Sequence, residues 1–249
     1  MARLEGKVAV IVGGNSGIGL ASAKAFVREG ASVVIAGRDE TTLNQAAREL
    51  GAGVVAVRAD VSRLSDLDNL FNTTQERFGH IDVLFANAGI AHFVPVEEVS
   101  ETFFDSIFDV NTKGLFFTVQ RALPLFTNGA SVILTTSSVV EKGMPGASVY
   151  AASKAAVRSL ARSFSAEFAQ RGVRVNVLCP GPVETPIFGR MGLPPEAFEA
   201  MGESIRGRVP MKRFGRPEEL ANAAVFLASD ESSFMLGAEV AVDGGSAQL

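Results

Sequence analysis

The stretch KVAVIVGGNSGIG, residues 7–19, decides the fold of this 249-residue chain. A run of branched apolar residues, typical of a buried strand, ends in Gly13, Gly17 and Gly19, and a segment of helical periodicity follows. Glycines at such a turn let the backbone approach a pyrophosphate closely, and the N–H groups at the start of the next helix attract an anion. The spacing therefore predicts a dinucleotide-binding turn. An ordinary glycine-rich turn is the alternative, which the position directly after the first strand disfavours.

The same alternation of strand and helix continues along the whole chain. Seven short apolar runs cover residues 7–12, 32–37, 54–60, 81–86, 130–136, 173–179 and 238–243. Segments of helical periodicity separate them, at 17–29, 39–50, 63–78, 100–123, 148–168 and 217–229. Continuously apolar strands need cover on both faces, and their alternation with helices implies right-handed crossovers. The pattern predicts an α/β fold of Rossmann type, a doubly wound parallel seven-stranded sheet with helices on both faces, as a single domain over residues 1–249.

The stretch 181–216 is the one long segment that this pattern leaves irregular. It is rich in Gly, Pro and Met, and long irregular segments in compact domains are usually lids or binding loops. We therefore expect a substrate lid at about 186–212. With the flexible Gly143 and Met144 of an earlier loop, the apolar residues of the lid predict an apolar pocket wall and apolar substrates; they are Ile187, Phe188, Met191, Leu193 and Phe198.

Composition excludes several functional classes. With 47% hydrophobic residues and a net charge of −4, the chain lacks the basic surface that nucleic-acid binding requires. The single cysteine, Cys179, excludes an intrachain disulfide, and neither a signal peptide nor a membrane span is recognisable, so we expect a cytoplasmic protein. His80 and His92 stand apart from any cluster with metal-ligand spacing, so we expect no catalytic metal. His80 is expected to cap the C-terminal end of a helix, and His92 is a lesser candidate for lining a substrate cleft.

The end of the second predicted strand, IAGRDE, indicates which nucleotide binds. Sites that prefer NAD commonly place a carboxylate there for the ribose 2′-hydroxyl, whereas an arginine accommodates a 2′-phosphate. Gly37 leaves space without negative charge, and Arg38 can offer a bidentate fork to phosphate, helped by Asn15 or Ser16. These residues favour NADP(H). Asp39 weighs against this interpretation, and Arg38 could instead only solvate the start of a helix.

The motifs of the chain, in their order, resemble those of the short-chain dehydrogenase/reductase family across essentially the whole length. After GGNSGIG come Asp60 and Val61, ANAG at 86–89, Asn111, TTSS, YAASK, PGPVETP and AVDGG. Within the family, stretches such as GGNSGIGL and RFGRPEELANAAVFLASD are similar to bacterial NADP-dependent alcohol dehydrogenases of broad range that act as carbonyl reductases.

The resemblance implies a set of cofactor contacts and an assembly. The glycine turn would hold the dinucleotide, Asp60 and Val61 the adenine, and the Val183 backbone the nicotinamide carboxamide; a structural proline turn is the alternative for the last segment. A homotetramer is also implied, through the helices at 100–123 and 148–168 and through the C-terminal AVDGGSAQL. The implied cofactor-binding residues are Gly13, Asn15, Ser16, Gly17, Ile18, Gly19, Arg38, Asp60, Val61, Asn87, Ala88, Tyr150, Lys154, Pro180, Gly181, Val183 and Thr185.

Tyr150 and Lys154 are the candidates for the chemistry. They are four residues apart within the helix predicted at 148–168, so they lie on one face a turn apart. A nearby ammonium and an oxidised nicotinamide both favour the phenolate, so we expect the pKa of Tyr150 to be lowered and its hydroxyl to act as an acid/base. Taken singly, Tyr150 could be a half-buried packing residue and Lys154 could solvate a helix face.

Two further side chains complete the expected catalytic set. Ser137 or its neighbour Ser138, at the end of the fifth strand, would hydrogen-bond the substrate carbonyl, and the family spacing to the tyrosine favours Ser137. The resemblance gives Asn111 a water in a proton relay that starts from Lys154, and gives Lys154 a bond to the nicotinamide ribose. A local cap is the alternative role for Asn111.

The function that the resemblance implies is NADP(H)-dependent interconversion of ketones or aldehydes and alcohols. A 3-oxoacyl-carrier-protein reductase is one alternative, and it would need a basic docking patch for an acidic carrier, with Arg158, Arg162, Arg171 and Arg174 as candidates. A nonenzymatic nucleotide-sensing protein is another, since a fold does not dictate activity. Loss of a catalytic side chain would favour the sensor, and none of the four is lost.

Overall fold

One parallel sheet of seven strands forms the centre of the molecule. The strands are β1 (Val8–Val12), β2 (Ser32–Gly37), β3 (Val55–Arg58), β4 (Ile81–Ala86), β5 (Phe126–Thr135), β6 (Arg174–Pro180) and β7 (Glu239–Val242). Their order in the sheet is β3-β2-β1-β4-β5-β6-β7, and every pair is parallel. Strand order therefore reverses between β1 and β4, where Val12 is level with Ala36 on one side and with Ala86 on the other. The predicted fold class is confirmed.

The computed structural model describes residues 2–186 and 195–249. Most of the expected apolar lid, Ile187, Phe188, Met191 and Leu193, lies outside the described residues, as does the side chain of Phe198.

The described residues contain eight α-helices. They are α1 (Gly17–Arg28), α2 (Glu40–Leu50), α3 (Leu64–Phe78), α4 (Glu101–Phe108), α5 (Leu115–Ala122), α6 (Ser148–Phe168), α7 (Pro195–Arg208) and α8 (Pro217–Ala228).

Side chains of each strand alternate between two apolar cores, one on each face of the sheet. Val10 and Val12 of β1 belong to the core under α3, α5 and α6, whereas Ala9 and Ile11 belong to the core under α1, α2 and α8. All four are at most 2% exposed. Burial on both faces explains why the strand sequence is apolar without interruption, which is typical of a parallel sheet covered by helices.

The helix predicted at 100–123 is interrupted. A π-helical turn at Asp109–Gly114 separates α4 from α5, and such turns insert one residue into the helical ladder. The turn buries Asn111 and Gly114 against the strand ends; a Cβ on Gly114 would lie 2.9 Å from the Val61 side chain. Apolar periodicity carries through the turn, so the sequence pattern did not reveal it.

Two other expectations are wrong in detail. The stretch 181–216 was expected to be irregular but contains α7, whose ends carry Glu196 in the first turn and Arg206 and Arg208 in the last, as the helix dipole favours. Its two glycines, Gly202 and Gly207, lower the helical signal. β5 also begins at Phe126 rather than residue 130, because Ile81 pairs with Phe126 before a register shift in the ladder.

Candidate active site

The C-terminal ends of the strands border one large cleft. It has a volume of about 1410 Å³ and lies where the strand order reverses, the usual ligand site of an open α/β sheet. All the residues expected to bind the cofactor line it except Gly19. Of the four expected catalytic residues, Ser137, Tyr150 and Lys154 line the cleft, and Asn111 lies fully buried behind it.

The glycine turn brings backbone to the floor of the cleft. Gly13 has a φ of +81°, and a Cβ on it would lie 2.9 Å from the Ala88 backbone; a Cβ on Gly19 would collide with the Gly13 carbonyl oxygen. α1 begins at Gly17, and the Ser16 side chain at its N-cap makes no hydrogen bond to the helix within the described part of the chain. The N–H groups at this helix start are therefore available to an anion, and the turn fits a pyrophosphate.

At the end of β2 the uncharged Gly37 is followed by the cation Arg38. A Cβ on Gly37 would lie 2.5 Å from Oδ1 of Asn15, so the Asn15 side chain occupies that space, and its Nδ2 donates to Thr42 Oγ1 at 2.8 Å. Asp39 caps α2: its carboxylate accepts from the N–H and the hydroxyl of Thr42, each at 2.7 Å. Arg38 is exposed and lines the cleft. The acidic residue that weighed against NADP(H) is thus engaged in capping a helix.

Asp60 lies at the end of β3 as a carboxylate. Burial acts to raise its pKa, but hydrogen bonds from the hydroxyl and N–H of Ser62, together with the charges of Arg38 and Arg63, outweigh burial and hold the pKa below its ordinary value. Ser62 donates from its hydroxyl at 2.7 Å and from its N–H at 3.0 Å. The loop that follows β3 is thereby fixed, with Val61 buried at the cleft wall.

Tyr150 and Ser137 meet inside the cleft. Ser137 follows β5, and its side chain lies close enough to the Tyr150 hydroxyl to act on the pKa of the phenol. Phe93 packs edge-on against the Tyr150 ring, with centroids 5.7 Å apart and planes at 76°, which fixes the direction of the phenol. Ser138 also lines the cleft but is 7% exposed, and Ser137 is the serine that meets the tyrosine.

Lys154 is a buried cation one turn further along α6. Its side chain is 3% exposed, and Nζ donates to the main-chain oxygen of Thr135 at 2.9 Å. Burial lowers the pKa of Lys154 to about 8, since the charged form loses solvation that one carbonyl does not replace.

The expectation that the pKa of Tyr150 would be lowered is not met in the protein alone. Burial raises the pKa of Tyr150 above its ordinary value, and the hydrogen bond from Ser137 only partly opposes this. The expectation rested on two positive charges near the phenol. One is the Lys154 ammonium, which donates to the Thr135 carbonyl instead, and the other is that of an oxidised nicotinamide. The phenol is therefore protonated at neutral pH, the form that can donate a proton to a carbonyl oxygen.

Asn111 is buried, and its side chain hydrogen-bonds two other segments of the chain. Its Oδ1 accepts from the N–H of Ile90 at 2.9 Å, while Nδ2 donates to the Ile90 oxygen at 2.9 Å and to Ser153 Oγ at 3.0 Å. These bonds tie the π-helical turn to the loop after β4 and to α6. A Cβ on Gly89 would lie 3.2 Å from both Asn111 Oδ1 and Lys154 Nζ, so the lysine and the asparagine face one narrow space.

Other residues expected to bind the cofactor connect segments around the cleft. Asn87 donates to the Gly13 oxygen at 3.4 Å and accepts from Thr135 Oγ1 at 3.3 Å, which joins β1, β4 and β5. Val183 is 4% exposed and bridges to Gly215. A Cβ on Gly17 would lie 3.1 Å from the Thr185 side chain, so the segment after β6 closes over the glycine turn.

Sequence reasoning missed Phe93 and Thr135. Phe93 was overshadowed by its neighbour His92, but Phe93 lines the cleft whereas His92 is not among its described lining residues. Thr135 acts through its backbone carbonyl, which a residue type cannot reveal. An aromatic residue a few positions after the strand-end ANAG was the available signal for Phe93.

Two other titratable groups that the sequence singled out, His80 and Cys179, are not lining residues of the cleft. His80 hydrogen-bonds the Phe78 carbonyl at 3.0 Å at the end of α3, as expected of a C-terminal cap, and Asp82 at 3.1 Å. Burial raises the pKa of Cys179 to about 12, so the thiol is unreactive at neutral pH. Among the described residues, no group of three or more His, Cys, Asp or Glu could hold a metal ion.

Two of the four arginines proposed for carrier docking make ion pairs or hydrogen bonds within the protein. Arg158 pairs with Glu239 at 2.6 Å and donates to the Gly237 oxygen. Arg174 donates to main-chain oxygens of Leu227, Ser229 and Ser232. Arg158 and Arg174 thus have partners within the fold, whereas Arg162 and Arg171 are exposed.

No helix in the described parts of the chain combines the length and the apolar character needed to cross a membrane.

Comparisons with known proteins extend over nearly the whole chain. A family profile described as Enoyl-(Acyl carrier protein) reductase matches residues 12–247. Oxidoreductase asL5 of Sarocladium schorii is 45% identical, over 99% of this chain and 98% of that protein. The NADP-dependent (R)-specific alcohol dehydrogenase of Lentilactobacillus kefiri is 40% identical over 98% and 97%, and the 3-oxoacyl-[acyl-carrier-protein] reductase FabG of Thermotoga maritima is 37% identical over 98% of each.

Solved structures agree with this fold. Levodione reductase superposes with a TM-score of 0.93 at 32% identity, over 99% of this chain and 100% of that chain. The 3-ketoacyl-(acyl-carrier-protein) reductase of Brucella melitensis, solved with NADH, superposes with a TM-score of 0.90 at 34% identity, over 98% of this chain and 99% of that chain.

Proposed function

Because the chain belongs to the short-chain dehydrogenase/reductase family, we propose that it is an NADP(H)-dependent oxidoreductase that interconverts ketones or aldehydes and alcohols. The observation that carries the proposal is that Ser137, Tyr150 and the buried Lys154 line one cleft, with the Ser137 side chain beside the Tyr150 hydroxyl. A phenol and a serine hydroxyl that converge on one point can both address a single carbonyl oxygen.

The bound dinucleotide would supply or accept the hydride. In the direction of reduction, Tyr150 donates its proton to the carbonyl oxygen, and Ser137 donates a hydrogen bond that stabilises the negative charge developing there. The Lys154 ammonium, held by the Thr135 main-chain oxygen, would bind the nicotinamide ribose. Asn111 keeps the loop after β4 and α6 in register, and its Oδ1 shares with Lys154 the space beside Gly89, through which a water would return protons to Lys154.

The residues of the cleft fit a phosphorylated dinucleotide. Backbone N–H groups of the glycine turn would bind the pyrophosphate, and Arg38 would pair with a 2′-phosphate beside the uncharged Gly37. Engagement of the Asp39 carboxylate by Thr42 supports NADP(H) over NAD(H). Asp60 and Val61 would contact the adenine, Asn87 and Ala88 the ribose side of the cleft, and Val183 and Thr185 the nicotinamide.

The proposal is tested by NADPH consumption with a panel of ketones and aldehydes. Wild-type protein should oxidise NADPH in the presence of at least one apolar carbonyl compound and form the corresponding alcohol. Tyr150→Phe should reduce turnover by about 10²–10⁴-fold, the usual contribution of a general acid, and should bind NADPH as tightly as wild type. Unchanged turnover in this variant would remove the assigned acid.

A 3-oxoacyl-carrier-protein reductase is the second candidate, favoured by the name of the Thermotoga maritima relative. It needs a surface for an acidic carrier, and the engagement of Arg158 and Arg174 in the fold argues against the patch that the sequence suggested. A carrier-binding assay distinguishes the two. A nonenzymatic sensor is disfavoured because the Ser137, Tyr150 and Lys154 side chains are assembled in one cleft.

The assembly, the lid and the location follow the same proposal. We propose a homotetramer, supported by three exposed apolar side chains: Phe104 on α4, Phe234 before β7 and Leu249 after β7. The segment at about 186–212 would act as the substrate lid. A reducing cytoplasm suits a chain whose only cysteine is buried.

A further inference from the structure

Charge is distributed unevenly along the cleft. Its acidic lining residues among those described, Asp39 and Asp60, both follow the strands on one side, β2 and β3. The lining cations away from those strands are Lys142, which follows β5, Lys154 on α6 and Arg208 on α7. Lys154 belongs to the proposed chemistry, so Lys142 and Arg208 have no role assigned.

The C-terminal turn joins the segments that carry these two cations. The Lys142 ammonium donates to the main-chain oxygen of Ser246. On the other side, the Met211 N–H donates to the Gly244 oxygen at 3.2 Å, and a Cβ on Gly244 would lie 2.8 Å from the Val209 side chain, directly after Arg208. The loop after β5, the end of α7 and residues 244–246 therefore meet at the rim of the cleft.

Ser246 contributes a buried hydroxyl at this meeting point. The residue is 5% exposed and lines the cleft, and its Oγ makes no hydrogen bond to any residue that the structure describes. Buried hydroxyls in folded proteins almost always have a partner. An unpaired hydroxyl in the wall of a substrate cleft is therefore a donor available to a ligand.

Arg208 is likewise available. Its guanidinium makes no ion pair or hydrogen bond within the described parts of the chain, whereas Arg206 pairs with Glu203 at 2.5 Å on the same helix. The nearby Asp243 carboxylate accepts from the N–H groups of Gly245 at 2.9 Å and Ala247 at 2.7 Å, and it is not a lining residue of the cleft. Glu141 is exposed and does not line the cleft.

We propose that Lys142, Arg208 and the Ser246 hydroxyl form a carboxylate-binding subsite at the substrate end of the cleft. Arginine and lysine with a hydroxyl donor are the groups that bind a carboxylate strongly. The substrate class is an oxo carboxylate, whose carbonyl meets Tyr150, whose apolar body lies along Phe93 and Val139, and whose carboxylate reaches the rim. This inference rests on the proposed carbonyl reduction and narrows its substrate class.

The test compares oxo acids of increasing chain length with their methyl esters, using NADPH and wild-type protein. At the best length, kcat/KM for the acid should exceed that for the ester by about tenfold or more, the effect of a charge-assisted hydrogen bond. Arg208→Gln and Lys142→Gln should each remove most of this preference by raising KM for the acid, and should change kcat/KM for the ester less than threefold. Ser246→Ala should weaken the preference in the same direction.

Arg206→Gln is the matched control, because Arg206 lies on the same helix and is not a lining residue of the cleft; it should leave both substrates unchanged. An ester reduced as well as its acid, or an Arg208→Gln variant that slows both equally, would overturn the subsite and leave the carbonyl reduction standing. Calorimetric titration of the oxo acid into the protein–NADPH complex gives a readout independent of turnover. Arg208-dependent binding without reduction of any acid or ester would keep the subsite and reject the proposed function, whereas binding that Arg208→Gln does not weaken would reject the subsite.

Discussion

The Nζ atom of Lys154 lies 2.9 Å from the main-chain oxygen of Thr135 at the last residue of β5. Ser137 follows two residues later and meets the hydroxyl of Tyr150. The end of β5 therefore positions two groups: its last main-chain oxygen holds Lys154, and Ser137 follows it. Helix α6 supplies both Tyr150 and Lys154. Because β5 is a central strand paired on both sides, the relative placement of the three groups is set by the interior of the sheet.

The two neighbouring serines should differ sharply in their effect on turnover. Ser137→Ala removes the hydroxyl that meets Tyr150, and loss of one donor to a developing oxyanion usually lowers kcat by about 10²–10³-fold. Ser138→Ala removes a hydroxyl from the same wall of the cleft and should change kcat only a few-fold. Steady-state kinetics on both variants, with NADPH binding as the check on folding, decides the matter. Equal losses in the two would mean that the serine assignment is wrong.

The burial of Lys154 should be visible in the stability of the protein. Its pKa is lowered to about 8 from an ordinary value of 10.5. Below pH 8 the lysine is charged in both the folded and the unfolded state, and the folded state bears the cost of burial. Between pH 8 and 10.5 the unfolded state binds more protons than the folded state does. The contribution of Lys154 to the free energy of unfolding therefore increases as the pH rises.

Lys154→Met lacks this titration. Its free energy of unfolding, minus that of wild type, should therefore fall by about 3 kcal/mol between pH 8 and 10.5, the equivalent of the pKa difference. Urea unfolding of both proteins at several pH values measures the difference, in which the other titrating groups cancel. A difference that stays constant with pH would mean that Lys154 is solvated in the native protein. The variant should also lose turnover.

The sheet and the cofactor turn could be predicted from sequence because each depends on a local regularity. Uninterrupted apolar strands signal cover on both faces, and the alternation of strand and helix fixes parallel pairing, so the order reversal beside Val12 follows. The spacing of Tyr150 and Lys154 placed both on one face of α6 for the same reason.

The rest depends on contacts between segments distant in sequence. The π-helical turn that buries Asn111 preserves the apolar pattern on either side, so periodicity cannot detect it. The raised pKa of Tyr150 arises from burial within the assembled cleft, which no spacing encodes. Ser246 is brought to the rim by the bond from Lys142, 104 positions earlier in the chain.

Arg38→Asp should change the preference for the cofactor. The variant replaces the cation beside Gly37 with a carboxylate that repels a 2′-phosphate, so the Kd for NADPH should rise by about 10²-fold while the Kd for NADH changes little. Arg63→Asp is a matched control, since Arg63 also acts on Asp60 but does not line the cleft. Fluorescence titration with both nucleotides measures the two constants. If Arg38→Asp weakened NADPH and NADH equally, the basis for preferring NADP(H) would be lost.

Gly89→Ala should separate catalysis from folding. Gly89 does not have a positive φ, so its backbone accepts alanine. The new methyl would lie 3.2 Å from both Lys154 Nζ and Asn111 Oδ1. This is too close, and the end of the lysine side chain is the group that can move.

Displacing Lys154 from the Thr135 oxygen should lower kcat by about tenfold or more, because small misplacements of catalytic groups have large effects on rate. The melting temperature should change by only a few degrees, since the lysine can shift without disturbing the sheet. A Gly89→Ala protein with normal kcat would show that the space between Lys154 and Asn111 is not on the path of the proton.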